Sequence, residues 1–269
     1  MKPRLLPAIL LLVIFSCSAN KYAATNKSYK KQAKAFAKEI SRTNLNGDKK
    51  TWIGTTNFGL RKPDFVIIHH TAQNSCEQTF RTFTLPRTQV SAHYVICKDG
   101  TVHQMLNDYL RAWQAGNSSW GNNRDINSSS IGIEIDNNGF EPFTDSQISS
   151  LLVLLDTLKT RYNIPAANFI GHADIAPTRK NDPNVNFPWQ ELAQKGYGLW
   201  YGDTSVVTVP ENFNAIQGLR IIGYSVKDTN ATIKAFRRHF EKTDSTISPG
   251  LTDADKKIVY DLMMKTMYP

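Results

Sequence analysis

Phe65-Val66-Ile67-Ile68 is a continuous apolar run that stops at two imidazoles, His69-His70, and it constrains the fold more than any other stretch. Such a run has no polar side to turn toward water, so it reads as a strand buried on both faces. Ser130 to Asp136 makes a second buried strand, with Glu134 set between Ile133 and Ile135, and is ended by Asn137-Asn138-Gly139. His93 to Cys97 and Thr101 to Met105 flank Lys98-Asp99-Gly100, a hairpin signal. Asn168 to Gly171 is a short strand that delivers His172. Helices separate these strands. Ser75 to Thr84 starts a short one, with Phe80 and Phe83 turned inward. Asp145 to Tyr162 is the clearest: Thr144 to Gln147 reads as a capping box, and Ile148, Leu151, Leu152, Leu155, Leu158 and Tyr162 recur at helical spacing. Asn163-Ile164-Pro165 stops it. The pattern is α/β, a mixed central sheet flanked by helices.

Past Trp200 the composition changes. Tyr201 to Ser205 reads as a linker, followed by a small three-helix module over 204–269. Its first helix carries Phe213, Ile216, Leu219 and Ile222 before Gly223. Its second starts near Thr229 with Ile233, Phe236 and Phe240 on one face. The third follows Ser248-Pro249-Gly250, is capped by Thr252, and carries Ile258, Val259, Leu262 and Met263. So few apolar residues bury little core, and the module should be modest in stability or lean on the domain before it.

The chemistry-bearing residues gather around these strands. His69, His172 and Asp182 supply two imidazoles and a carboxylate, a three-ligand set for catalytic zinc that leaves a fourth position open. Consecutive side chains on a strand point to opposite faces, so only one of His69 and His70 can face a given metal. Glu134 shares a face with Gly132 and Asp136, where a buried carboxylate is costly without work or a partner. Its two readings are a general base and a structural hydrogen bond to a loop. In an extended segment Lys180 would project to the same side as Asp182 and stabilise an oxyanion. Taken singly, Lys180 reads as a solvated loop charge and Asp182 as a turn cap before Pro183.

The N-terminus is of another kind. Met1 to Arg4 is a cationic start, and Leu5 to Phe15 is an apolar run too short to span a bilayer comfortably. Ile14-Phe15-Ser16-Cys17 resembles a bacterial lipobox, which makes 1–17 a signal peptide and Cys17 the lipidated first residue; ordinary signal-peptidase cleavage is the competing reading. Both imply export, to the periplasmic face of the outer membrane as a lipoprotein or as a soluble periplasmic or secreted protein. Residues 18–50 form a basic tether: between 21 and 50 nine Lys or Arg face only Glu39 and Asp48. A helix over 28–42 shows little apolar periodicity and should be weakly ordered. The tether suits an anionic membrane or glycan surface. Without aromatic interleaving, nucleic acid is not an expected partner. Export permits a disulfide between Cys76 and Cys97, with two buried free thiols the equal alternative. Nothing suggests an obligate oligomer.

Ile68-His69-His70-Thr71-Ala72, Ser130 to Glu134, Gly171 to Pro177 with Lys180 and Asp182, Ala112-Trp113-Gln114-Ala115-Gly116 and Phe187-Pro188-Trp189-Gln190 together resemble zinc N-acetylmuramoyl-L-alanine amidases, relatives of the peptidoglycan recognition proteins. The nearest likeness is to members that are outer-membrane lipoproteins. The resemblance implies a peptidoglycan-recognition-protein-like amidase domain over 51–203 and a peptidoglycan-binding-like module over 204–269. It implies that His69, His172 and Asp182 hold Zn2+, that Glu134 is the catalytic acid and base, and that Lys180 steadies the oxyanion. The implied substrates are peptidoglycan and muropeptides, with His70, Trp113, Asn137 and Arg179 as candidate contacts. Some proteins of this fold bind cell wall without cutting it, which is the rival reading. Two positions depart from the family pattern: His70 follows the first ligand, and Gln114 stands where relatives often carry His.

Overall fold

The structure, a computed structural model, describes residues 21–41, 55, 57, 59–244 and 250–269. The signal segment 1–17 with Cys17, most of the tether beyond residue 41, the domain start at Thr51 and Ser248-Pro249 lie outside the described residues.

The described part divides into two units, one within residues 1–58 and one spanning 59–269. In the first, α1 (Ala23–Ile40) buries no residue. It is a full helix where weak order is expected, because Ala, Lys, Gln and Glu dominate it and straight-chain residues lose little freedom on helix formation.

In the second unit five strands form one mixed sheet. These are β1 (Phe65–His70), β2 (Tyr94–Ile96), β3 (Val102–Gln104), β4 (Ser130–Ile135) and β5 (Phe169–Gly171), in the order β3-β2-β4-β1-β5. β1 runs parallel to both β4 and β5, β2 parallel to β4, and the β2–β3 hairpin is antiparallel. The two central strands are the two apolar runs, as their composition requires. Val66, Ile68, Ile131, Ile133 and Ile135 pack on one face under α4 (Asp145–Tyr162), through Ile148, Leu151, Leu155 and Leu158. Thr144 and Gln147 close the capping box of α4, and Asn163 ends it in the left-handed conformation. Ile67 faces the other way, onto Ile170, Ala115, Ile126 and Ile175.

α2 (Cys76–Thr84) is capped by Ser75 but turns Thr79 inward; Phe80 and Phe83 are only half-buried, and Phe80 meets His103 edge-on. A disulfide joins Cys76, at the start of α2, to Cys97 after β2. The short helices α3 (Ile126–Ser129) and α5 (His172–Ile175) lead into β4 and out of β5, and α6 (Trp189–Gln194) follows.

α7 (Ala215–Ile222), α8 (Thr229–Phe240) and α9 (Asp253–Met267) complete the chain. Their core holds Leu219, Ile222, Ile233, Phe236, Phe240, Ile258, Val259 and Leu262, the faces their spacing implies. Ala173 of α5 packs into that same core. The linker is tied down as well: Gly202 N–H donates to Asp261 and Lys265 donates to the Trp200 carbonyl.

Candidate metal centre

β1 and β4 pair in parallel with His69 opposite Glu134. Alternation along each strand sends Val66 and Ile68 to the α4 face and leaves His69 on the other, beside Gly132 and Glu134. β5 ends at Gly171, and the chain turns directly into α5, whose first residue is His172. Ala173 N–H then donates to the Asp182 carbonyl at 2.8 Å, which folds the 176–182 loop back onto that turn. The loop is turned rather than extended, because Arg179 and Lys180 N–H both donate to Ala176 O. The Asp182–Pro183 peptide is cis.

The result brings His69, His172 and Asp182 together, all buried, with one donor atom from each within 4.8 Å of the others. His69 Nδ1 lies 2.9 Å and His172 Nδ1 3.0 Å from the same Asp182 Oδ2.

The hydrogen bonds behind the imidazoles settle where their protons are. Ser130 Oγ donates its only proton to Ile126 O at 2.6 Å, so it can only accept from Gln114 Nε2 at 2.7 Å. That orients the Gln114 amide with Oε1 toward His69 Nε2, which must therefore be the N–H. Behind His172, the Ala115 carbonyl lies 3.3 Å from Nε2 and can only accept. When neutral, both rings thus present Nδ1 lone pairs to a carboxylate oxygen.

Two Nδ1 atoms and a carboxylate oxygen converge on one point, an arrangement that suits a cation. A divalent ion would satisfy both imidazoles and the carboxylate at once. The edges of a zinc tetrahedron with N and O ligands are about 3.3 Å, close to the two His–Asp separations. The donor set fits zinc, and the partners behind each imidazole are what metal-bound histidines use.

Electrostatics agree. Burial pushes His172 down to about 4, which keeps it neutral. Burial also pulls on His69, but Glu134, Asp182 and Gln114 together raise it: the site attracts positive charge. Burial opposes ionisation of Asp182, yet the two imidazoles hold it well below the usual carboxylate range. Glu134 is pushed up to about 7, chiefly by burial and further by Asp182, while His69 and Lys180 pull the other way. One of its oxygens, Oε2, has no hydrogen-bond partner in the structure.

A family model described as N-acetylmuramoyl-L-alanine amidase matches residues 59–185. Over 231 residues the chain is 32% identical to N-acetylmuramoyl-L-alanine amidase AmiD of Escherichia coli (strain K12), covering 74% of this chain and 82% of that protein. The chain belongs to the N-acetylmuramoyl-L-alanine amidase family. This amidase is also 42% identical over 101 residues to the 1,6-anhydro-N-acetylmuramyl-L-alanine amidase AmpD of Citrobacter freundii, covering 38% of this chain and 54% of that one. Among solved structures, E. coli AmiD in complex with anhydro-N-acetylmuramic acid-L-Ala-D-gamma-Glu-L-Lys superimposes with a TM-score of 0.67 at 29% identity, covering 83% of this chain and 97% of that one. AmpDh3 from Pseudomonas aeruginosa superimposes at 0.69 and 28% identity, covering 82% and 99%.

Around the candidate metal centre of this amidase the expected residues part company. Lys180 is half-buried and its charge reaches Glu134, His70 and His172. Trp113, which precedes Gln114 in the chain, is 52% exposed. His70 is buried on the opposite strand face, against Gly139, and is pushed down chiefly by burial. Asn137 is not placed for substrate: it is fully buried and braces its own loop, accepting from Gly139 N–H and Asn184 while donating to the Glu141 and Pro142 carbonyls. Arg179 donates to the Ala115 and Asn117 carbonyls, holding the segment behind His172. Gln114, read in the sequence only as a departure from the family pattern, and Ser130, which patterning misses, form the hydrogen-bonded support behind His69. Their pairing across 16 positions has no local signal, apart from Gly132, which leaves Gln114 room.

Proposed function

We propose that this N-acetylmuramoyl-L-alanine amidase is zinc-dependent and cuts the amide between N-acetylmuramic acid and the L-alanine of the stem peptide in peptidoglycan or its fragments. The observation that carries the metal assignment is the convergence of two Nδ1 lone pairs and a carboxylate on one point, each imidazole fixed from behind. His69, His172 and Asp182 are the ligands. Bound zinc supplies Lewis-acid polarisation of the scissile carbonyl and a lowered pKa for the attacking water.

The chain's own residues do the rest. Glu134 takes a proton from the attacking water as its oxygen bonds to the carbonyl carbon. It then delivers that proton to the leaving amine nitrogen as the C–N bond breaks. A carboxyl pushed to about 7 by burial suits both tasks near neutral pH. Lys180 offers its cation to the developing oxyanion. Trp113, exposed and next to Gln114 in the chain, provides an aromatic face for substrate.

The reading extends to location. The apolar segment 5–15 ending at Cys17 directs export, with a lipid on Cys17 holding the enzyme at the periplasmic face of the outer membrane as a monomer. Among the described residues no helix is long and apolar enough to cross a membrane. Intact-mass measurement of protein extracted from membranes tests the anchor: absence of acyl mass removes it.

Mass spectrometry of purified cell wall incubated with protein lacking residues 1–17 tests the function. Free stem peptides beginning at L-alanine, lost with chelator and regained with zinc, are expected. Wall retained by the protein without new fragments would make it a binding module instead.

A further inference from the structure

The C-terminal helices reach into the metal centre. Asp174, two residues after the ligand His172, is buried and accepts three hydrogen bonds. One comes from Gly171 N–H at 2.8 Å, closing the α5 turn. The other two come from the C-terminal region: Tyr224 Oη donates to Oδ1 at 2.7 Å and His239 Nδ1 donates to Oδ2 at 2.8 Å. We infer that Tyr224 and His239 are positioning residues for the metal ligand His172, so that the C-terminal helices complete the amidase site itself.

The turn that carries His172 cannot orient itself. Four residues make a single helical turn, and such a turn has no stability of its own. Its direction is set by what grips it. On one side Ala173 N–H is tied to the main chain of Asp182. On the other, Asp174 is held by Tyr224 and His239, and Ala173 sits in the core of α7, α8 and α9. Gly171 is pinned between Asp174, Pro183 and Trp189: a Cβ there would come within 3.0, 3.0 and 3.1 Å of them.

Both donors are themselves held rigidly. His239 is buried and stacked between Trp189, at 4.0 Å and 13°, and Phe240, at 4.2 Å and 21°. Tyr224 is buried with its ring edge-on to Trp120 at 4.9 Å. Trp120 lies flat against Gly223, where φ is +138° and a Cβ would fall 2.3 Å from Trp120 Cε2. Gly121 N–H donates to the Gly223 carbonyl at 2.7 Å. A buried carboxylate stripped of its donors is costly and turns toward other partners. Asp174 would then take the α5 turn, and His172 Nδ1, away from the position that meets Asp182 and His69. A contact serving only to hold the helices in place would affect stability alone.

The inference rests on the metal role proposed for His172, and one set of measurements separates the two. Zinc affinity by competition with a chromophoric chelator, kcat and KM on a muropeptide, and Tm are compared for the unaltered protein, Tyr224→Phe, His239→Phe and His239→Asn. Phenylalanine keeps the Tyr224 ring, leaves an aromatic ring at position 239 and removes the donor at each, while asparagine restores an N–H near the Nδ1 position. Each Phe variant is expected to bind zinc about tenfold more weakly, at the lower end for partners of metal ligands, and to lose kcat with KM unchanged. His239→Asn is expected to recover most of that affinity. Folded Phe variants whose zinc affinity stays within about twofold of the unaltered protein, with only Tm lowered, would overturn the inference. Failure of the unaltered protein to bind zinc would instead overturn the metal assignment.

Discussion

Gln114 lies across Gly132 so closely that a Cβ at position 132 would come 2.6 Å from its Cγ. The glycine in β4 is therefore room for the side chain that fixes the His69 tautomer. Gly132→Ala and Gln114→Ala should both free the His69 ring. Zinc affinity is expected to fall about 10- to 100-fold in each, the usual effect of losing a partner behind a metal-bound imidazole. Equal zinc affinity in all three proteins would show that the Ile126–Ser130–Gln114 chain has no part in metal binding.

Glu134 faces His69 across β1 and β4 and carries the proton in the proposed reaction. Glu134→Gln should lower kcat by about a hundredfold or more while zinc content stays unchanged. Turnover within a few fold of the unaltered protein would remove Glu134 from the chemistry.

The same carboxyl makes stability depend on pH. Burial raises it from an ordinary 4.5 to about 7 in the folded chain, so folding favours its protonated form. That contribution is complete below pH 4.5 and is lost as pH rises through 7. In chelator, Glu134→Gln should therefore gain in relative stability between pH 4.5 and 7 and hold the gain above it, by at most roughly 3 kcal/mol. Thermal unfolding of both proteins across that range checks it; a constant difference would contradict the buried, raised carboxyl.

Among the described residues Lys180 makes no side-chain hydrogen bond or ion pair, and its charge reaches the site. Lys180→Ala should cost on the order of a hundredfold in kcat, as loss of an oxyanion donor does, with little change in Tm. An undiminished kcat would assign the oxyanion to other groups.

The Cys76–Cys97 bridge closes a loop of 21 positions between α2 and β2. Loop-closure entropy puts its contribution near 3 kcal/mol, so reduction or Cys76→Ser should lower Tm by roughly 5–10 °C. An unchanged Tm after verified reduction would show that the bridge adds no stability.

What the sequence made legible was local. The α4 capping box, the 98–100 hairpin turn and the apolar strands all announce themselves within a dozen residues, and the structure shows each in place. The pairing of Cys76 with Cys97 was open, because two thiols in an exported chain are equally consistent with a bridge and with burial. Phe80 and Phe83 misled because size argued for burial, whereas the helix phase set by Ser75 turns Thr79 inward. Asn137 is a candidate contact only through the family resemblance; its four side-chain hydrogen bonds depend on Asn184 and the 139–142 loop folding back. The relay behind His69 and the grip on Asp174 join residues 16 to 65 positions apart, and no short motif encodes them.

Crystals grown with zinc and measured on both sides of its absorption edge test the central claim most directly. An anomalous peak is expected in bonding contact with His69 Nδ1, His172 Nδ1 and an Asp182 oxygen, with both Nε2 atoms still facing Gln114 and Ala115. A peak bonded through Nε2, or none at this cluster in protein that cleaves the wall, would contradict it.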